Sequence, residues 1–104
     1  MPLIIVATIV PLPAHRDEVL AALTTAVQDV HTEDGCELYA LHQNADRLVM
    51  IERWSDPGAF RAHGRSPALA LLTAALDGLL EGPLDVVVLE PVPAGDPAKG
   101  QLRP

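Results

Sequence analysis

Residues 48–72 read LVMIERWSDPGAFRAHGRSPALALL and hold the signals around which the rest of the chain is arranged. A predicted strand ends at Trp54. Asp56-Pro57 then supplies an N-cap and a proline in the first helical turn, where the missing N–H costs nothing. Gly64 breaks this short helix, and Ser66-Pro67 repeats the cap and proline to begin another. The stretch therefore predicts a strand followed by two consecutive helices.

The flanking sequence extends this pattern in both directions. Upstream, a β-branched run, a helical apolar period and an Asn44–Asp46 hairpin signal predict a strand, a helix and a second strand. Downstream, leucines at helical spacing run to about Glu81, and Gly82-Pro83 precedes a last apolar strand. The predicted strands cover residues 3–10, 36–43, 47–54 and 84–90, and the predicted helices begin near residues 14, 57 and 67.

The order strand–helix–strand thus occurs twice. It predicts an α+β, ferredoxin-like βαββαβ sandwich, in which an antiparallel four-stranded sheet carries the helices on one face. The domain is predicted to span residues 1–91. Residues 92–104 are rich in proline and glycine, and this composition predicts an extended or disordered C-terminal tail.

The predicted strands are apolar on both faces. Residues 3–6 are LIIV and residues 86–89 are VVVL, whereas a sheet with one solvated face alternates apolar and polar residues. The helices cover only one face, so the other requires a cover, and a second copy of the chain is the simplest one. We therefore expect a homodimer packed sheet to sheet. The alternative is that one face merely carries scattered apolar residues.

Composition restricts the class of protein. A chain of 104 residues with 49% hydrophobic residues suits one packed domain. The formal net charge of −7 argues against nucleic acid or an anionic membrane surface as the partner. No apolar run approaches the roughly 20 residues that span a bilayer, and a lone cysteine, Cys36, excludes an internal disulfide. We expect a cytoplasmic protein with no nucleic-acid and no membrane partner.

The row of side chains Leu48, Met50, Glu52 and Trp54 shares one face of the predicted strand, because strand side chains alternate. A carboxylate in an apolar row either reaches solvent beside an arginine or lines a polar spot in a cavity, since burial without a partner is costly. Trp54 lies where the strand gives way to a helix. It is a candidate for core packing, for the rim of a pocket, or for both.

His63 follows Phe60 by about one helical turn, and the helix break at Gly64 opens space beside the sheet. Histidine titrates near neutral pH, so His63 is a candidate general acid or base. A structural hydrogen bond across the break is the alternative. Tyr39 could bind a substrate oxygen, although cross-strand packing is the favoured interpretation. The sequence has no Gly-rich phosphate loop, nucleophile elbow or two-histidine metal motif, so we expect no cofactor and no metal.

Three groups of residues occur in a familiar order: Glu33-Asp34-Gly35-Cys36 with Tyr39, then Ile51-Glu52-Arg53-Trp54, then Phe60, His63 and Ser66-Pro67. Over about residues 3–91 the chain resembles the antibiotic biosynthesis monooxygenase domain family, which includes quinol monooxygenases. The resemblance implies a dimeric α/β barrel. It also implies a cofactor-independent monooxygenase that uses O₂ to oxidise a small aromatic substrate of quinol, phenolic or polyketide-like type.

The resemblance also implies roles for particular residues. His63 would accept or orient a proton, and Glu52 would be a supporting acid or base. The position after Ser66-Pro67 often holds a second histidine in the family, but here it is Ala68, which weakens a two-histidine mechanism. The same scaffold also suits a non-catalytic small-molecule-binding dimer, or a cofactor-free isomerase or cyclase. The predicted substrate-binding residues are Trp54, Tyr39, Phe60 and Met50.

Overall fold

The computed structural model describes residues 1–103. A short 3₁₀ turn, Pro13–His15, precedes the first α-helix. The elements in chain order are β1 (Leu3–Ile9), α1 (Arg16–Val30), β2 (Cys36–Gln43), β3 (Leu48–Trp54), α2 (Pro57–Gly64), α3 (Pro67–Leu76) and β4 (Asp85–Leu89).

The strands form one sheet in the order β2-β3-β1-β4, and neighbouring strands are antiparallel. This topology confirms the predicted ferredoxin-like α+β fold. The inward face of β1 and β3 packs with the helices in a single hydrophobic core. The helical side chains buried in that core are Val19, Leu23, Ala26 and Val30 of α1 and Leu72 and Leu76 of α3.

The helix starts predicted near residues 57 and 67 are confirmed by their caps. The Asp56 carboxylate accepts the Ala59 N–H at 2.8 Å, and the Ser66 hydroxyl accepts the Leu69 N–H at 3.2 Å. A proline follows each cap. The break between α2 and α3 therefore arises from a second N-cap that starts a new helix axis.

The last helix ends five residues earlier than the sequence predicts, at Leu76 instead of Glu81. Asp77 leaves the helical conformation and Gly78 has a φ of 78°, which glycine adopts without steric cost. The chain beyond then pairs with the segment after β1: Leu12 N–H donates to Leu79 O at 2.8 Å, and Glu81 N–H donates to Val10 O at 2.9 Å. These tertiary hydrogen bonds replace further helical ones. The first helix ends at Val30, three residues before the end at Glu33 that its apolar period predicts.

Gly35 fixes the corner between α1 and β2. Its φ is 80°, and a Cβ added there would lie 2.5 Å from the Ala59 Cβ and 2.7 Å from the Ser55 hydroxyl. The Ser55 N–H donates to Gly35 O at 2.9 Å. Because Gly35 has no side chain, the turn between α1 and β2 packs directly against the start of α2. This contact brings the residues before Gly35 close to those of α2.

The outward face of the sheet is mostly apolar, although Arg53 of β3 and Thr8 of β1 also lie on it, and β4 is its most exposed strand. Val87 and Leu89 point outward, with 42% and 45% of their surface exposed. Residues 92–103 of the predicted extended or disordered tail contain no helix or strand, but Asp96 caps a turn by accepting the Ala98 N–H. Arg53 also donates to Leu102 O at 2.7 Å.

No helix within residues 1–103 is long and apolar enough to cross a membrane.

Candidate active site

A cavity of about 150 Å³ lies between the inward face of the sheet and helices α2 and α3. Its walls are mostly aliphatic. Three of the lining side chains carry polar groups, namely Tyr39, Glu52 and His63. Phe60 and Met50 also line the cavity, so five of the six predicted site residues meet around one space.

Strand register explains why the polar groups lie at one end. Glu52 of β3 is directly opposite Tyr39 of β2 and Ile5 of β1, and directly opposed residues of a sheet share a face. His63 joins this row from the end of α2, with its ring centroid 5.5 Å from that of Tyr39. The next inward row contains Met50 and Ala7 and is apolar. The cavity therefore has a polar end and an apolar remainder.

Glu52 is only 4% exposed. One of its oxygens, Oε1, accepts the indole N–H of Trp54 at 2.9 Å. Burial raises the pKa of Glu52 from its ordinary 4.5 to about 7, and the nearby charge of Glu33 adds to the rise; the hydrogen bond from Trp54 opposes it. The carboxyl group is thus able to gain or lose a proton near neutral pH. Burial of Glu52 in a cavity, one of the two sequence interpretations, is the observed one.

His63 is held by a carboxylate that the sequence does not single out as a site residue. Its Nδ1 lies 2.9 Å from Oε1 of Glu33, and both side chains are largely buried. An ionised carboxylate can only accept a hydrogen bond, so Nδ1 carries the proton and Nε2 of the neutral ring is free to accept one. The second oxygen of Glu33 is buried, and no partner for it occurs in residues 1–103. Glu33 therefore fixes the orientation of the His63 ring.

Trp54 does not line the cavity, although the sequence predicts it as a substrate-binding residue. Its side chain is fully enclosed, with its ring centroid 4.5 Å from that of His63 and its N–H directed to Glu52. The reason is its position as the last residue of β3, opposite Leu3 and Cys36, where the core closes. Trp54 therefore packs outside the cavity against His63 and Glu52 and holds these two candidate catalytic groups in position.

Tyr39 contributes a phenol at the polar end. Burial, together with the charges of Glu52 and Glu33, raises the pKa of Tyr39 well above its ordinary value. The hydroxyl therefore stays neutral and is a hydrogen-bond donor. Its ring also meets that of Trp54 edge-on, at a centroid distance of 6.4 Å. The cross-strand packing that the sequence favours for Tyr39 is therefore observed, and the residue also lines the cavity.

The arrangement suits proton transfer to or from a small, mostly apolar molecule. His63 offers a free nitrogen, Glu52 titrates near neutral pH, and Tyr39 donates a hydrogen bond. Within residues 1–103 no group of three or more His, Cys, Asp or Glu side chains is placed to hold a metal ion. The other histidines lie elsewhere: His31 bonds to Tyr39 O, and His15 and His42 are on the outside.

Comparison with known proteins shows which relatives this chain has. A model described as antibiotic biosynthesis monooxygenase matches residues 2–73. The chain is 33% identical over 93 residues to a Mycobacterium tuberculosis protein named "Putative monooxygenase Rv0793", covering 88% of this chain and 92% of that protein. It is 32% identical over 81 residues to "Putative monooxygenase YcnE" of Bacillus subtilis, covering 75% of this chain and 85% of that protein.

Solved structures agree with this similarity. The M. tuberculosis Rv0793 structure superposes with a TM-score of 0.86 at 31% identity, covering 92% of this chain and 100% of that one. The structure of PA3566 from Pseudomonas aeruginosa gives a TM-score of 0.78 at 28% identity, covering 85% of this chain and 91% of that one. Sequence and fold lead to the same group, so the chain belongs to the antibiotic biosynthesis monooxygenase family.

Proposed function

We propose that this protein is a cofactor-independent monooxygenase that oxidises a small quinol or phenol with O₂. The observation that carries the proposal is the oriented His63–Glu33 pair, which lies beside Glu52 at one end of an apolar cavity. The names of its relatives support the reaction class. A cavity of about 150 Å³ has the size that admits a single benzene ring.

The first step is removal of a hydroxyl proton from the substrate. Nε2 of His63 accepts it, and the Glu33 carboxylate stabilises the imidazolium that forms. Tyr39 and the apolar walls hold the resulting anion away from water. An anionic aromatic ring is more electron-rich than its neutral parent, so it transfers electrons to O₂ more readily.

The second step joins oxygen to the ring. The anion and O₂ form a C–O bond, and the peroxide intermediate then loses water as its O–O bond breaks. For a hydroquinone, one oxygen atom ends in a hydroxyquinone and the other in water, and all the electrons come from the substrate. Glu52, with its pKa raised to about 7, returns a proton to the departing oxygen. The imidazolium of His63 is a second proton source.

Oxygen consumption tests the proposal. The purified protein, treated with a chelator and given no flavin, is expected to consume O₂ with hydroquinones and to form one hydroxylated product for each O₂. Mass spectrometry with isotopically labelled O₂ would place one labelled atom in the product. Absence of uptake across a panel of quinols and phenols would reject the oxygenase. A rearranged product without label would identify an isomerase, and ligand binding without turnover would identify a binding protein.

We also propose that two copies pack through the outward faces of their sheets. The outward residues Val6, Val49 and Ile51 are apolar and partly buried, and Val87 and Leu89 of β4 are substantially exposed. A largely apolar face of this kind is typical of an interface between subunits. The dimer would bury it without covering the helices.

Substitution of Val87 by glutamate tests this interface. The charge would be buried between the sheets without a partner, which is costly, so Val87→Glu is expected to convert the dimer to a monomer. Sedimentation velocity measures the change in mass. The matched control is Leu71→Glu, because Leu71 is 70% exposed on α3, away from the sheet. The proposal fails if the unsubstituted protein is monomeric, or if Val87→Glu leaves a dimer intact.

A further inference from the structure

Ala7 sets the depth of the cavity. It lies between Ile5 and Ile9 on the inward face of β1, and it is opposite Met50 of β3 and Val86 of β4. Alanine is less favourable in a strand than the β-branched residues on either side. Its small side chain, 8% exposed, leaves space above the sheet that α3 does not fill. The cavity therefore exists largely because position 7 carries only a methyl group.

The distance from the polar end to this floor limits the length of a ligand. Glu52 is opposite Ile5, and Ala7 is two residues further along β1, a separation of about 7 Å in an antiparallel strand. This is close to the length of one hydroxylated ring. Beyond Ala7 the space is closed by the bulky side chains of Ile9 and Leu76, which also line the cavity.

The cavity opens to solvent beside Gly64. This residue lines the cavity and is exposed, as are Leu84 and Val86 on the other side of the opening. A Cβ added at Gly64 would meet no atom within 4 Å. Gly64 is helical, where alanine is favoured by about 1 kcal/mol. Its lack of a side chain leaves the entrance wide.

The carboxyl groups at the polar end of the cavity also restrict the charge of the ligand. Glu52 lines the cavity at this end, Glu33 is hydrogen-bonded to His63 behind the lining, and one oxygen of Glu33 is buried without a partner in residues 1–103. A ligand carboxylate would meet like charge there at low effective dielectric. A neutral hydroxyl would instead find acceptors and the donor of Tyr39.

We propose that the cavity selects one hydroxylated aromatic ring without a carboxylate, which enters beside Gly64 and occupies the space that the small side chain of Ala7 leaves. This inference rests on the proposed function and narrows its substrate class. The hydroxyl lies between His63, Glu52 and Tyr39, and the ring lies over Ala7. Fused rings of polyketide type, which the family resemblance also implies, exceed the space.

Anaerobic titration measures this selection without turnover. Trp54 is the single tryptophan of the chain, and it touches both Glu52 and His63, so its fluorescence reports occupation of the polar end. Hydroquinone is expected to bind at least about 10-fold more tightly than a naphthohydroquinone or an anthrone. Hydroquinone is also expected to bind about 10-fold more tightly than dihydroxybenzoate. Equal affinity for the fused-ring ligands would overturn the proposal.

Two variants test the residues themselves. Ala7→Val suits a strand and is expected to weaken hydroquinone binding about 10-fold by filling the floor. Gly64→Leu lies at the exposed opening and is expected to slow ligand association while the fold is retained. The control is Ala70→Val on the exposed side of α3, which should bind as the unsubstituted protein does. Unchanged binding in both test variants would overturn the proposal.

The outcomes separate this inference from the proposed function. Size-selective binding without O₂ consumption would reject the oxygenase and leave the selection intact. Oxidation of fused-ring substrates as fast as single-ring ones would reject the selection and leave the oxygenase intact.

Discussion

His63→Gln is expected to lower kcat for O₂ consumption by about 10²- to 10⁴-fold, the usual contribution of a positioned general base. Glutamine can still hydrogen-bond to Glu33, so the shape of the site is retained, but its amide cannot take the substrate proton at neutral pH. The oxygen electrode measures the rate, and anaerobic titration followed by Trp54 fluorescence measures hydroquinone binding. Affinity is expected to change far less than kcat.

The matched control for this substitution is His42→Gln. His42 is exposed on β2, and its Nδ1 lies 3.1 Å from Ala40 O, away from the cavity. Its replacement is expected to leave kcat unchanged. Circular dichroism would show that both variants are folded. If His63→Gln retains a rate close to that of the unsubstituted protein, proton acceptance belongs to another group, and the proposed mechanism is wrong.

Glu52→Gln is expected to stabilise the protein at alkaline pH by about 3 kcal/mol, because a rise in pKa from 4.5 to about 7 corresponds to that free energy. The folded state keeps the Glu52 proton between these two values, whereas the unfolded state releases it. The contribution of Glu52 to the free energy of unfolding is therefore fully present below about pH 4.5 and is lost as pH rises towards 7. Glutamine does not titrate, and its oxygen can still accept the Trp54 N–H.

Urea unfolding of both proteins across this pH range measures the effect. The difference in the free energy of unfolding should be near zero at low pH, grow through the acidic range and level off above about pH 7. Glu81→Gln is the control, because Glu81 is exposed and surface substitutions change stability by less than about 0.5 kcal/mol. A difference between Glu52→Gln and the unsubstituted protein that is independent of pH would contradict the raised pKa.

The elements of the fold follow from local signals. Caps at Asp56 and Ser66 start two helices, and the apolar period of α1 marks the residues that it buries. These signals act over a few residues, so they can be read along the chain. The end of α3 shows their limit. Leu79 and Leu80 fit a helical stripe, but they pair with residues 10–12 instead, and that partner is distant in sequence.

The candidate site likewise combines residues that local patterns predict with contacts that only the folded chain makes. Strand alternation placed Glu52 among inward side chains, and helical spacing placed His63 beside Phe60. No spacing rule links His63 with Glu33, which is 30 residues earlier. The signal that could have suggested Glu33 is its place in the Glu33–Cys36 motif shared with the family. The enclosure of Trp54 depends on α2 packing across the end of β3, which strand alternation does not describe.

The stretch at residues 48–72 by itself determined the strand, the two caps, the helix break and the strand face that Glu52 shares with Met50, because each depends on neighbouring residues. Only the tertiary structure decided the rest. It brought Glu33 to His63 through the close contact at Gly35, and it left the cavity above Ala7. It also raised the pKa of Glu52. These properties depend on burial and on distances between remote segments, and folding alone sets both.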